Sequence, residues 1–203
     1  MTDWRRRASA LVGALVFLLG CNRPARGGAA TPVIERIPPR SACTGELARA
    51  ERTAALLERS WPVRGSGPIL DLVRIIGASL AAHAPAPTAP WRFLLLDDDG
   101  ANAFSVGGGR IYVSRGTITA CHSEAEVAAI VAHEMAHDLL GHFCAARMSA
   151  ERRSIGPVRQ RLDPAQERAA DAGSVPLLMG AGYDPPAALD VVRRFAADGA
   201  QSV

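Results

Sequence analysis

His133-Glu134-Met135-Ala136-His137 is the stretch of this 203-residue chain that decides its fold and its chemistry. On a helix, residues four positions apart lie on one face, so the imidazoles of His133 and His137 can reach the same metal ion. Glu134 would lie beside that ion, where its carboxylate can take a proton from a bound water. This spacing is typical of zinc peptidases, and the alternative is two ordinary histidines on a core helix.

The residues around this motif predict a helix from about Glu124 to about Arg147. Ser123 and Glu126 form a capping box at its start. Arg147 suits the last turn, because a cation is favoured at a helix C-terminus. Apolar residues recur between these ends, at Val127, Ile130, Val131, Leu139 and Leu140. The motif is therefore expected on a capped, half-buried helix.

A third metal ligand is expected later in the chain, because catalytic zinc sites usually have three protein ligands and one open position. Asp163 and Pro164 predict a second helix start, as N-cap and first helical residue. Glu167 and Asp171 would then share one face of that helix. We expect Glu167 to bind the ion and Asp171 to accept a hydrogen bond from a ligand imidazole. The alternative is a pair of solvated surface acids near Arg168.

Three blocks of sequence occur in the same order as in a known protein family. They are Asn102-Ala103-Phe104 with Gly107 to Gly116, then Ser123 to His142, and then Glu167 to Asp171 with Ala181 to Pro185. In these blocks the chain resembles the HtpX-like and CAAX-prenyl-protease-type zinc metallopeptidases, especially their bacterial lipoprotein members. The resemblance covers about residues 65 to 197.

This resemblance implies a zinc-dependent endopeptidase with one Zn²⁺ ion per chain. Its ligands would be His133, His137 and Glu167, with Glu134 as the general base on a zinc-bound water. The implied fold is a zincin-like, single α+β domain. In it, the zinc helix and the ligand helix pack with a small, mostly antiparallel sheet.

An edge strand before the zinc helix is predicted to bind substrate. A strand with an open edge can pair with an extended peptide through backbone hydrogen bonds. The residues assigned to this role are Asn102, Ala103, Phe104, Gly109 and Ile111. Such pairing is weakly sequence-selective, and this suits an enzyme that acts on unfolded or misassembled envelope proteins.

Two segments depart from the family pattern. The link from Met148 to Leu162 is short and rich in arginine. It is also the candidate for a segment that blocks the open zinc position in a latent form. Pro176 falls inside the predicted ligand helix, and this implies a kink or an early stop near Gly173.

The residue that would stabilise the oxyanion is not identified, because no histidine follows His142. Arg168, Tyr183 and Arg193 are candidates, although structural roles fit each of them better. His142 matches a family position but is expected off the ligand face. A packing or hydrogen-bonding role is therefore predicted for it.

The N-terminus predicts a lipoprotein. Arg5-Arg6-Arg7 precedes the apolar stretch Ala8 to Gly20, whose thirteen residues are too few for a transmembrane helix and fit a signal peptide. Leu18-Leu19-Gly20-Cys21 resembles a lipobox, so Cys21 would be acylated after cleavage. The alternatives are an unacylated signal or an uncleaved anchor. Asn22 favours delivery to the periplasmic face of the outer membrane.

Composition and charge predict three parts. These are a signal peptide (1–20), an acylated cysteine with a flexible tether rich in Pro, Gly, Ala and Arg (21–40), and one metallopeptidase domain (41–203). Removal of residues 1–20 takes away three arginines and one aspartate, and so lowers the formal net charge from +3 to +1. A nearly neutral domain gives no indication of nucleic-acid binding.

Three cysteines follow Cys21, and an oxidising compartment would allow disulfides. Cys121 and Cys144 lie at opposite ends of the predicted zinc helix, too far apart to bond to each other. A disulfide would therefore join Cys43 to Cys144 or to Cys121, and the sequence leaves both pairings open.

The remaining elements follow from periodicity and turn signals. Asp97 to Gly100 is predicted to be a hairpin turn rather than a calcium loop, because spaced ligands and a closing glutamate are missing. The predicted helices are Thr44–Arg59 and Ile69–Ala82, and the predicted strands are Trp91–Leu96, Ala103–Val106 and Arg110–Ser114.

A function of another class also fits this sequence. The chain could be a non-enzymatic or latent assembly factor or chaperone of the outer membrane that uses the same fold to hold client chains. The intact H-E-x-x-H and E-x-x-x-D patterns argue against it, because a chain that no longer catalyses would often have lost one of these residues.

Overall fold

The computed structural model describes residues 45–84, 90–144, 164–186 and 190–191. Its elements are α1 (Glu46–Ser60), β1 (Val63–Arg64), α2 (Pro68–Ala81), β2 (Arg92–Leu96), β3 (Ala103–Ser105), β4 (Arg110–Ser114), α3 (Arg115–Ala120), α4 (Glu124–Leu139) and α5 (Pro164–Gly180). Several predicted features lie outside the described residues, namely the signal peptide, Cys21 and the tether, Cys43, the Met148–Leu162 link, Asp163 and Arg193.

The four strands form one mixed sheet in the order β1-β2-β4-β3. The outer strands β1 and β3 run antiparallel to their neighbours, whereas β2 and β4 are parallel. The predicted α+β class is confirmed, and two of the three strand pairings are antiparallel. The predicted pairing of β3 with β4 around Gly107–Gly109 is also confirmed.

The predicted hairpin turn at Asp97–Gly100 is wrong. Strand β4 lies between β2 and β3, so the segment after β2 crosses to the far edge of the sheet instead of folding back. Asp97 forms ion pairs with Arg64, at 2.9 Å, and with Arg115, at 3.1 Å. These pairs tie the crossing segment to β1 and to the start of α3.

Both faces of the sheet are covered by helices. On one face, α1 packs on side chains of alternate strand residues, including Phe104 and Tyr112. On the other face, Ile111 and Val113 pack against α2 and α4, and Leu177 of α5 joins the same cluster. Each large apolar side chain buried in this way contributes roughly 1.5–3 kcal/mol. The metal-binding motif of α4 is thus held against a rigid sheet.

Helix α4 begins as predicted and ends earlier than predicted. Ser123 Oγ accepts a hydrogen bond from the Glu126 backbone N–H at 3.3 Å, as in a capping box. The Glu126 carboxylate accepts from the His122 N–H at 2.7 Å, one residue before the N-cap. The expected extension to Arg147 is wrong, because Gly141 adopts a left-handed φ of 66°. The His142 N–H then donates to the His137 carbonyl at 3.0 Å, which completes a Schellman motif.

Helix α5 continues through Pro176 to Gly180. The sequence predicted a kink or an early stop near Gly173, and the early stop is wrong. Leu177 and Leu178 follow the proline and are fully buried in the main core. Their burial offsets the backbone hydrogen bond that Pro176 cannot donate.

Within the ranges that the structure describes, none of the helices has the length and apolar character needed to cross a membrane.

Among the described glycines, Gly116 has the closest backbone neighbour. A Cβ atom added there would lie 2.0 Å from the Asp99 carbonyl oxygen, which cannot move away as a flexible side chain would. An exposed helical glycine usually gains stability on replacement by alanine. For Gly116→Ala we expect the opposite, a loss of roughly 1–3 kcal/mol through overpacking, measured by urea unfolding.

Gly65→Ala is the matched control, because no atom lies within 4 Å of the added Cβ. If Gly116→Ala and Gly65→Ala unfold at the same urea concentration, the close contact between α3 and the Asp97–Gly100 segment is not present.

Candidate metal centre

The two histidines of the motif meet one turn apart on α4. Their Nε2 atoms are 2.9 Å apart, and the side chains are buried, with residue exposures of 8% for His133 and 1% for His137. Each ring nitrogen carries a lone pair when the imidazole is neutral. The pair thus offers two nitrogen ligands at one point.

Glu167 reaches this point from α5. Its Oε2 atom lies 3.3 Å from His133 Nε2 and 3.7 Å from His137 Nε2. The three possible ligand atoms all lie within 4.8 Å of one another. Helix α5 can approach α4 closely because Gly173 faces Ala136, where an added Cβ would lie only 3.3 Å from the alanine methyl.

Asp171 lies one turn after Glu167, beside the first histidine. Its Oδ1 atom is 3.0 Å from His133 Nδ1, so the aspartate accepts the Nδ1 proton and leaves Nε2 free to bind a metal. The set of two imidazoles and one carboxylate fits Zn²⁺ with a fourth position open. The sequence predicted both acids in these positions.

The electrostatics of the site favour a bound positive charge. Burial lowers the pKa of His133, but hydrogen bonds to Asp171 and Glu167 outweigh it and raise that pKa to about 10. Burial also raises the pKa of Glu167, and the two imidazoles overcome this and hold it below its usual range. The Glu167 carboxylate therefore stays ionised and attracts a cation.

His142 contacts the second ligand rather than lying apart from it. Its Nδ1 atom is 2.8 Å from His137 Nδ1. Because His137 Nε2 faces the metal position, its Nδ1–H donates to His142. The predicted hydrogen-bonding role agrees with this contact. His142 lies behind His137, away from the three candidate ligand atoms, because the turn at Gly141 folds it back over α4. Gly141 was the residue in the sequence from which this turn could have been predicted.

Glu134 points toward the sheet beside the metal position. Its Oε2 atom accepts a hydrogen bond from the Ser105 backbone N–H at 3.0 Å. Burial raises the pKa of Glu134, while the neighbouring histidines lower it. A carboxylate with a raised pKa is better suited to take up and return a proton near neutral pH.

Among the described strands, β3 lies at an open edge of the sheet, and that edge faces Glu134. The Asn102 carbonyl accepts from the Ser114 N–H, and the Val106 N–H donates to the Arg110 carbonyl. Antiparallel pairs alternate, so the backbone groups of Ala103 and Ser105 between them point away from β4.

The five predicted substrate-binding residues do not all reach the open edge. Ala103 lies on it. The Phe104 side chain is buried between the sheet and α1, and Asn102 is hydrogen-bonded to Ser114 and Thr117. The prediction that Ile111 binds substrate is wrong, because Ile111 is fully buried on β4, which has a paired strand on each side. The same prediction for Gly109 is also wrong, because its N–H donates to Asp138 Oδ2 at 2.7 Å.

Other candidates from the sequence have structural contacts. The Tyr183 hydroxyl donates to Glu124 Oε1 at 2.7 Å, at the start of α4 and far along the helix from the histidines. Arg168 is exposed.

Cys144 is disulfide-bonded to a cysteine outside the described residues, and Cys121 is a buried thiol of the core. A disulfide through Cys121 is thereby excluded.

Comparison with known proteins points in the same direction. Residues 71–155 match the model of peptidase family M48. The beta-barrel assembly-enhancing protease of Escherichia coli is 27% identical over 96 residues, which cover 44% of this chain and 20% of that protein. A putative beta-barrel assembly-enhancing protease of Vibrio cholerae is 28% identical over 109 residues, which cover 54% and 22%.

These matches support the M48 metallopeptidase family. The family is zinc-dependent in general, in agreement with the ligand set of α4 and α5. The chain spans about a fifth of the length of the curated relatives that it matches.

Asp171→Ala tests the contact that orients the first ligand. Loss of the acceptor frees the His133 ring to rotate and to change tautomer. We therefore expect the affinity for Zn²⁺ to fall about 10- to 100-fold, measured by competition with a chromophoric chelator. Asp184→Ala is the control, since Asp184 is an exposed acid beyond the end of α5. Equal zinc affinity in the two variants would contradict this role.

Proposed function

We propose that this protein is a zinc-dependent endopeptidase with a zincin-like active site. One observation carries the proposal. His133, His137 and Glu167 converge on a single point, and Glu134 lies beside it against the open edge of a strand. A metal-binding site alone would not require a half-buried carboxylate on the side where a peptide can pair.

The chemistry of the chain's own residues follows from these contacts. A Zn²⁺ ion at this site supplies Lewis acidity when bound. Glu134 is the general base, and its Oε1 atom takes the proton from the attacking water because Oε2 is held by the Ser105 N–H. The same carboxyl then returns that proton to the leaving amine. Asp171 and His142 keep the ligand rings oriented throughout.

The substrate is proposed to bind in an extended conformation along β3. The N–H and carbonyl of Ala103 and the carbonyl of Ser105 are the backbone groups that can pair with it. Such pairing reads the backbone and selects weakly among side chains. A folded chain cannot offer a free extended strand, so the expected substrates are unfolded or misassembled proteins.

The cell envelope is the proposed location. The matched relatives carry the name beta-barrel assembly-enhancing protease, and the lipobox ending at Cys21 predicts a lipid anchor. A tether over residues 21–40 would let the domain reach substrates at the periplasmic face of the outer membrane. The proposed partners are thus unfolded or misassembled envelope proteins and the membrane, without nucleic acid.

Glu134→Gln separates catalysis from metal binding. The amide cannot accept the proton, while it keeps the shape of the side chain. We expect cleavage of casein to fall at least about 100-fold, with zinc content unchanged. Glu51→Gln, at an exposed position of α1, is the control. Casein cleavage by Glu134→Gln at the wild-type rate would show that the assigned mechanism is wrong.

A second candidate function is assembly assistance without catalysis, and the word "assembly" in the names of the relatives favours it. The same variant discriminates between the two. Rescue of a strain that lacks the gene by Glu134→Gln would favour assembly assistance, whereas failure to rescue would favour the peptidase.

A further inference from the structure

Helix α4 carries a second pair of side chains one turn apart, next to the two histidines. Glu134 and Asp138 share a face, and both bind the β3–β4 hairpin. Asp138 Oδ2 accepts from the Gly109 N–H at 2.7 Å and from the Ser105 hydroxyl at 3.3 Å. One face of the helix thus presents the metal ligands, and the adjacent face holds the strand that borders them.

The turn between β3 and β4 presents its backbone N–H groups to side-chain oxygen acceptors. Gly107, Gly108 and Gly109 have left-handed φ angles of 85°, 64° and 76°, which non-glycine residues rarely adopt. Their amides point at acceptors in succession. The Gly107 N–H donates to Ser105 Oγ at 3.1 Å and the Gly108 N–H to Glu46 Oε1 at 3.3 Å. Successive amides of this kind form an anion-binding concavity, and here the chain supplies the anions itself.

The two acids reach the turn from opposite sides of the sheet. Glu46 lies at the start of α1, and Asp138 lies near the end of α4. Asp138 is half-buried, and its contacts with Gly109 and Ser105 are polar. An aspartate is also a poor helix former away from a helix start. Neither helix stability nor apolar packing therefore accounts for this residue.

The Ser105 contacts show what the arrangement controls. Its backbone N–H donates to Glu134 and its hydroxyl donates to Asp138, so a single strand residue contacts both of these acids. Successive residues of a strand point their backbone groups to opposite edges. A small slip or rotation of β3 would therefore turn the free groups of Ala103 away from the metal position.

We propose that Asp138 is a positioning residue that fixes the open edge of β3 relative to Glu134 and the metal centre. It does not touch substrate. It holds Gly109 and Ser105, and through them it sets where an extended peptide can lie. This inference rests on the proposed function.

The test compares Asp138→Ala with Asp138→Asn in the full chain, using a fluorogenic peptide long enough to pair with β3. The alanine variant removes both acceptor contacts, whereas the asparagine keeps an oxygen acceptor of the same shape. Displacements of about 1 Å at an active site can cost about 100-fold in rate. We expect Asp138→Ala to raise KM at least about tenfold with one zinc retained per chain, and Asp138→Asn to recover most of that loss.

Asp71→Ala, which changes an exposed acid of α2, should leave both KM and kcat at wild-type values. If Asp138→Ala does not fold, Ser105→Ala replaces it, because this change removes only the hydroxyl link to Asp138 and to the Gly107 N–H. A severalfold rise in KM for Ser105→Ala then supports the inference.

Two results would overturn it. An unchanged KM in Asp138→Ala, or in Ser105→Ala where the first variant does not fold, would show that the hairpin needs no such contact. A loss of activity in proportion to lost zinc would show that Asp138 supports the metal site instead. In both cases the wild type still cleaves, and the proposed function stands. A wild type that does not cleave would overturn the proposed function and this inference together.

Discussion

The contact of the Glu167 carboxylate with two imidazoles across the α4–α5 crossing is the interaction on which the site depends. Two histidines one turn apart can bind a metal weakly on any helix. A third ligand from a separate helix requires the two helices to cross at a fixed place, and Gly173 against Ala136 permits that approach. The burial of Leu177 and Leu178 then holds α5 in place. Packing far from the site thus determines where the three candidate ligands meet.

A second constraint comes from the sheet. Helix α4 packs on the face that contains Ile111 and Val113, while its acidic side chains reach past this face to the β3–β4 hairpin. The strand at the open edge and the metal ligands are therefore parts of one rigid unit. An enzyme that binds extended chains needs this unit, since the reacting carbonyl must lie near both the metal and the general base.

Local patterns in the sequence predicted the features that depend on nearby residues. The i, i+4 spacing of His133 and His137, and of Glu167 and Asp171, follows from helix geometry alone. The capping box at Ser123 is equally local. The end of α4 was missed because the expected helix continued through Gly141, although glycine is the residue that commonly ends a helix in a left-handed turn. Because of that error, the contact between His142 and His137 was not predicted.

The features that the sequence could not predict depend on tertiary contacts. The parallel pairing of β2 with β4 makes β4 an interior strand, and this alone removes Ile111 from the substrate edge. The role of Ser105 depends on which of its backbone groups faces outward, and the strand register decides that. Pro176 was expected to kink or stop α5, but the helix continues to Gly180, because the apolar residues after the proline outweigh the missing hydrogen bond.

The most direct test of the central claim is the zinc content of the purified wild type and of Glu167→Ala, measured with cleavage of an unfolded protein on the same samples. The account predicts one zinc per wild-type chain, with zinc and cleavage lost or weakened together in the variant. A wild type without zinc, or a Glu167→Ala variant that retains both zinc and cleavage, would contradict the three-ligand site.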